Sequence, residues 1–307
     1  MLFAPPRDLD TTVFARIPDG FRTSGRRSEW VDIQRAGRPI DCFLEGPSFD
    51  REGFLYVVDV AFGRIFRISP DGKDVELVAE YDGEPNGLKI HKDGRIFVAD
   101  FKQGILLLDP KTGEVSPFLT RDRLDCFKGV NDLVFASNGD LYFTDQGLTG
   151  LHDPSGRLYR YRADGRLEAL VDTIPSPNGL VPDPAETTIF VNVTRANAVW
   201  RVPLLPDGRV IKVGTFIQLS GGSAGPDGLA IDQEGNLAVA HMGLGCVWLF
   251  SALGEPLYRI RSCRGLATTN VAYGGPEGRT LYMTEAESGC VLQCELPVPG
   301  RPMYSHM

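Results

Sequence analysis

A chain of 307 residues that is 42% apolar and 23% charged is long enough to bury a large core and has an ordinary globular composition. Its net charge of −8 repels phosphate backbones, which argues against nucleic acid as a partner, and no run of 18 apolar residues offers a membrane span. The opening MLFAPPRDLD has no basic stretch leading into an apolar one, and Cys42, Cys126, Cys246, Cys263, Cys290 and Cys294 lack CxxC spacing; reduced thiols and a cytoplasmic location are expected.

The 35 glycines and 22 prolines fall between short apolar runs, as they do where many strands are joined by tight turns. The first such run, residues 12–17, reads TVFARI and stands apart from the rest. Residues 21–40 follow, holding Trp30 among Arg22, Arg26, Arg27, Arg35 and Arg38. From residue 41 to 296 one unit recurs six times, and 297–307 is a short tail. Each unit opens on a polar marker: Glu45, Asn86, Asn131, Asn178, Asp227 and Asn270, spaced by 41 to 49 residues. A strand comes next, at 54–59, 95–100, 140–145, 189–194, 236–241 and 280–285, and then a third, such as RIFRIS or AVWRVP. The strands are rich in β-branched and aromatic residues, and several are apolar on both faces, as in a sheet sandwiched between neighbours.

Six units of this length predict an all-β fold, a six-bladed β-propeller of four-stranded blades forming a single domain over 1–307. The last unit lacks an outer strand, which 12–17 is expected to supply, closing the ring and removing a free sheet edge. No segment reads as an amphipathic helix of three turns.

All six markers hold one phase of the repeat, just before the innermost strand, so they are expected to ring one mouth of the central channel. Pro18-Asp-Gly, Pro70-Asp-Gly and Pro206-Asp-Gly are the internal control: the same tripeptide, out of phase, read as plain turns. Two acids and four amides make an all-oxygen collar, the donor type that calcium or magnesium prefers over zinc or copper. If Glu45 and Asp227 converge, two like charges ~4 Å apart repel by about 4 kcal/mol at an effective dielectric of ~20. A cation between them relieves this, with Asn131 and Asn178 completing a partial shell.

The ordered set Glu45-Gly-Pro, Asn131-Asp, Pro177-Asn-Gly-Leu, Pro226-Asp-Gly-Leu and Thr268-Thr-Asn-Val-Ala-Tyr-Gly-Gly resembles the regucalcin/gluconolactonase family over residues 40 to 296. The resemblance implies a six-bladed lactonase that depends on one divalent cation, calcium first, with Zn²⁺, Mg²⁺, Mn²⁺ or Fe²⁺ as alternatives. It implies Glu45, Asn178 and Asp227 as metal ligands and Asn131 as either a ligand or a substrate contact. It also makes Asp227 the general base or nucleophile, and Asp132 either an essential acid or a cap of its own turn. The longer, basic segment before Glu45 and Ala240-His-Met-Gly depart from the family pattern.

The expected chemistry is opening of a small lactone, neutral or acidic, to a hydroxy acid. Asn86, Asn131 and Asn270 are expected to face substrate oxygens. Ends of second strands return to the mouth, bringing Asp59, Asp100, Asp145, Arg195, His241 and Glu285 toward the rim; of these Arg195 and His241 are the substrate-contact candidates. Residues 21–40 are expected over the mouth, either as a solvated loop or as a lid whose arginines attract an acidic ligand. Two rival readings are a phosphotriesterase using the same collar and a binding scaffold without catalysis.

Overall fold

The computed structural model describes residues 3–22 and 25–307. Six sheets, each built on an antiparallel four-stranded meander that runs inner to outer, are arranged as a β-propeller; in five of them the four strands are consecutive in the chain. The inner strands are Leu44–Phe49, Pro85–Ile90, Val130–Phe135, Pro177–Pro182, Gly225–Ile231 and Thr268–Gly274, one for each of blades 1 to 6. Thr12–Arg16 pairs antiparallel with Cys290–Glu295 and completes blade 6, as the missing strand required. A second N-terminal strand, Arg7–Asp10, lies parallel to Pro256–Arg261 as a fifth strand of blade 5, which sequence reading did not anticipate. Among the described residues no helix is long and apolar enough to cross a membrane.

Seven clusters of buried side chains account for the core. Six fill the six seams between adjacent blades; at the closing seam Phe49 and Phe66 of blade 1 meet Tyr282 and Val291 of blade 6. Burial on both faces explains why the strands read as nearly continuous apolar runs. The seventh lies under residues 25–40, where Ser28 caps the short helix Glu29–Gln34 through Val31 N–H. Trp30 and Val31 of this helix pack on Phe43, Val60, Phe62, Ala267 and Ala286, so the segment is a strap over the edge of the mouth.

The markers are not placed before the inner strands but inside them, each at a bulge. Strand register slips between Glu45 and Ser48, Pro85 and Gly87, Val130 and Leu133, Pro177 and Leu180, Pro226 and Leu229, and Thr268 and Val271. A bulge re-aims one side chain out of the pleat, here toward the axis. The glycine after a marker lets neighbouring inner strands close in: a Cβ on Gly87 would meet Asp132 Oδ1 at 2.6 Å, and one on Gly179 would meet Asp227 O at 2.6 Å. By contrast Asp71 of the out-of-phase Pro70-Asp-Gly serves a surface turn, accepting from Ser69 Oγ at 2.7 Å.

Residues 301–307 cross the opposite end of the channel. Tyr304 stacks on Phe135 with centroids 5.2 Å apart, and Arg301 N–H reaches Ile231 O at 3.0 Å. Together with Ile90, Leu180 and Val271 they enclose a small apolar chamber of ≈ 90 Å³.

Candidate active site

At the bulged end of the channel, Glu45, Asn86, Asn131, Asn178 and Asp227 line one cavity of ≈ 130 Å³ together with Arg195. Residues from all six units were expected there; five of the six markers arrive. Neighbouring blades lock their backbones in place. Thr144 Oγ1 donates to Asn178 O at 2.8 Å, Asn192 Nδ2 to Asp227 O at 2.7 Å, and Thr269 Oγ1 to Leu44 O at 2.7 Å. Each of these bonds crosses a seam, so the ring is braced from blade to blade.

The two acids are buried, Glu45 to 3% and Asp227 to 8% exposure. Burial raises the Glu45 carboxyl well above its ordinary range, and the nearby charges of Asp227 and Asp132 raise it further. Burial pushes Asp227 up to about 8; a hydrogen bond from Asn178 and the charge of Arg195 act against the rise, and Asp132 with it. Both acids are therefore poor anions unless a cation joins them.

The amide of Asn131 is held in one orientation. Its Nδ2 donates to Gln146 Oε1 at 3.0 Å, and Gln146 Nε2 donates in turn to Ser176 Oγ at 3.0 Å. This leaves Asn131 Oδ1 buried without a donor. An orphaned carbonyl oxygen beside two repelling carboxylates fits a hard cation with oxygen ligands. Among the described residues no group of three His, Cys, Asp or Glu comes together, so the donor set owes its oxygen count to amides.

Three sequence candidates lie outside this cavity: Asn270, Asp132 and His241. Asn270 accepts from Val271 N–H at 2.8 Å and donates from Nδ2 to Asp132 Oδ2 at 3.4 Å. Asp132 also accepts from Leu133 N–H at 2.8 Å and has Lys89 Nζ 3.9 Å away. Burial raises the Asp132 carboxyl, and the lysine opposes that rise. The pair thus occupies the channel without lining the mouth, and Asp132 lies within the strand Val130–Phe135 rather than in a turn.

The strand-end set is shifted by one residue from the rim. Asp59, Asp100, Asp145, His241 and Glu285 are fully buried. Four of them accept from the backbone N–H just before an inner strand, at Phe43, Glu84, Gly129 and Ala267. They brace the backbone that leads into each inner strand. His241 holds the same register: its Nε2 lies 3.2 Å from Gly221 O, and Trp248 Nε1 donates to Nδ1 at 3.2 Å. With both ring nitrogens engaged, it does not line the cavity. The residues one step later do, namely Phe101, Gln146, Thr194 and Met242. Sequence reasoning missed these, although a one-residue advance of the same phase would have found them. Arg195, two steps past the register, stands exposed on the 3-10 turn Thr194–Ala196 and reaches the mouth.

The strap supplies Trp30, Gln34 and Arg35 to the cavity wall. Its arginines are largely committed to ion pairs: Arg22 with Asp41 at 2.8 Å, Arg26 with Glu80 at 2.6 Å, Arg27 with Asp32, and Arg35 with Glu287. They latch the strap to itself and to blades 1 and 6, which counts against their use as a lure for acidic ligands. Residues 23 and 24 of the expected lid lie outside the described residues.

Comparison with known proteins agrees with the fold. Residues 43–287 match the model of the SMP-30/Gluconolactonase/LRE-like region. Lactonase drp35 of Staphylococcus aureus is 34% identical over 240 residues, 75% of this chain and 72% of that protein. The corresponding lactonase of Staphylococcus saprophyticus is 34% identical over 241 residues, with the same shares of each chain covered. A solved structure described as a putative gluconolactonase superposes with a TM-score of 0.74 at 25% identity, covering 85% of this chain and 91% of that one. A calcium-binding regucalcin of Agrobacterium tumefaciens shares the fold with a TM-score of 0.79 at 22% identity, over 99% of this chain and 100% of its own.

Proposed function

The chain is an enzyme of the SMP-30/gluconolactonase/LRE-like family, and we propose that it opens a small lactone at the ring of Glu45, Asn131, Asn178 and Asp227 around one divalent cation, calcium first. The observation that carries the reading is the fixed Asn131 amide, whose buried Oδ1 has no donor while two buried carboxylates stand in the same cavity. When bound, such a cation offsets the repulsion of the two acids and polarises an ester carbonyl.

The side chains divide the remaining work. Asp227, fixed in the cavity wall, takes a proton from the attacking water as general base. Asn178 hydrogen-bonds Asp227 and holds the carboxylate in place. Trp30, Phe43 and Phe101 form apolar walls that limit water around the reacting ester. Asn86, unclaimed by any other side chain among the described residues, faces a substrate oxygen. Asp132 and Asn270 brace the channel beneath.

A lactone panel in weak buffer with a pH indicator tests the proposal, because each turnover releases one proton. Hydrolysis should disappear after chelation and return with calcium. Absence of turnover with every lactone and every divalent ion, at micromolar enzyme, would overturn it.

A further inference from the structure

A second compartment, ≈ 580 Å³, adjoins the ring cavity, and Gln34, Gln146 and Arg195 border both. Its far wall is the blade 3 loop Gly147–His152, with Ser176 at its base. Among the described residues no aspartate or glutamate lines it, although the chain carries 40 acidic residues. Arg195 stands at the junction.

The backbone under Arg195 is tied to the strand that carries Asp227. Thr194 Oγ1 donates to Pro226 O at 2.7 Å, one residue before Asp227. Asn197 ends the turn with a left-handed φ of 50°, and its Nδ2 donates to Gly221 O at 3.0 Å. The stem of Arg195 lies against Gly150, where an added Cβ would meet its Cγ at 3.7 Å and the His152 ring at 3.2 Å. A larger residue at 150 would crowd the His152 ring and come into contact with the Arg195 stem. Four of the strap's five arginines have carboxylate partners, whereas Arg195 enters no ion pair among the described residues.

We infer that Arg195 binds a carboxylate on the substrate, so that the ester reacts over Glu45 and Asp227 while the acid group rests in the adjoining compartment. This deepens the lactone reading and rests on it. An unpaired guanidinium presents a planar fork of donors that matches a carboxylate in two parallel hydrogen bonds. Because Arg195 borders both compartments, the acid sits on or next to the lactone ring rather than at the end of a long chain. Turnover then adds water across the acyl–oxygen bond. The water oxygen joins the acyl carbon, the ring oxygen leaves as an alcohol with one water proton, and the new carboxylic acid releases the other. The product is a hydroxy-dicarboxylate.

The test compares a ring-carboxylated γ-lactone with its methyl ester, in which one added methyl group removes the charge. The wild-type enzyme should prefer the acid. In R195Q the ratio of kcat/KM for acid over ester should fall 10- to 100-fold, mainly through KM, and R195K should recover part of it. Raising salt should erode the preference in the wild type and not in R195Q. A preference for the methyl ester in the wild type, or an unchanged ratio in R195Q, would overturn the inference while leaving lactone hydrolysis intact. Should no lactone turn over, calorimetry with the open hydroxy-dicarboxylate still decides the role of Arg195. Wild type should bind it at least tenfold more tightly than R195Q, and equal binding refutes the assignment. A phosphorylated lactone preferred over the carboxylated one would likewise refute the carboxylate.

Discussion

Replacing Gln146 by methionine keeps the length of the side chain and removes the acceptor that orients Asn131. In the wild type, Asn131 Nδ2 is satisfied by Gln146 Oε1 at 3.0 Å, and the residue is 3% exposed. Leaving a buried amide donor unpaired costs about 1–3 kcal/mol, so in Q146M the amide rotates toward any other acceptor. Cation binding must then restore the original rotamer, at about 1–2 kcal/mol, which is roughly a 5- to 30-fold weaker Kd. Calcium titration followed by Trp30 fluorescence, or by calorimetry, measures this directly, since Trp30 lines the same cavity. Q146E retains an acceptor and should bind calcium at least as tightly as wild type. If Q146M bound calcium within twofold of wild type while N131A lost far more, orientation through Gln146 would be irrelevant and the argument from the orphaned oxygen would fail.

Three further outcomes are expected. D227N should lower kcat by roughly 10²- to 10⁴-fold, the usual worth of a general base, with an unchanged circular dichroism spectrum; activity within threefold of wild type would remove Asp227 from the chemistry. D59N leaves the Arg64 guanidinium, 3% exposed, without its carboxylate, and weakens the anchor on Phe43 N–H two residues before Glu45. Breaking such a buried pair costs about 3–5 kcal/mol, or a Tm lower by roughly 5–8 °C for a chain of this size, checked by calorimetry. Glu84 is raised to about 7, first by burial and then by Asp100 and Glu29, with Lys102 opposing. A carboxyl raised on folding contributes most below its unfolded value near 4.5, and that contribution is lost as pH rises through about 7. E84Q should therefore raise Tm at pH 8.5, by about 1 kcal/mol of stability after solvent screening, and leave it unchanged at pH 4.5. A gain at pH 4.5 of equal size would point to packing instead of charge.

The repeat was legible because blade periodicity is local chemistry. A run such as Leu55–Asp59 or Leu141–Asp145 declares itself a doubly buried strand by its own side chains. The spacing of Glu45, Asn86, Asn131, Asn178 and Asp227 placed them in one phase, and one phase means one end of the axis. The shortfall lay in single-residue detail. Strand faces alternate every residue, so the brace series ending at Asp145 and His241 and the cavity series of Gln146 and Met242 differ by one position and face opposite ways. The bulges that turn the markers inward leave no common signature in the sequence: three read Asn-Gly or Asp-Gly, and Asp-Gly also makes the surface turns at Asp71 and Asp207.

Contacts across seams were not legible at all. Nothing near Asp132 in the chain announces Asn270, 138 residues away. Nor does the strap reveal that Arg35 is claimed by Glu287, 252 residues further on. Arg7–Asp10 reads as a polar lead-in, yet pairs with blade 5 because the outer edge of that blade passes beside it. From sequence alone came the number of blades, the way the ring closes, and a set of six polar side chains in one phase, because those follow from periods along the chain; that Asn270 leaves the mouth to the other five was decided by the fold. Which of them stay unpaired, which are spent on braces, and where an arginine is left free were decided by tertiary structure. A polar group's partner is whichever residue the closed ring brings opposite it, and no local pattern encodes that distance.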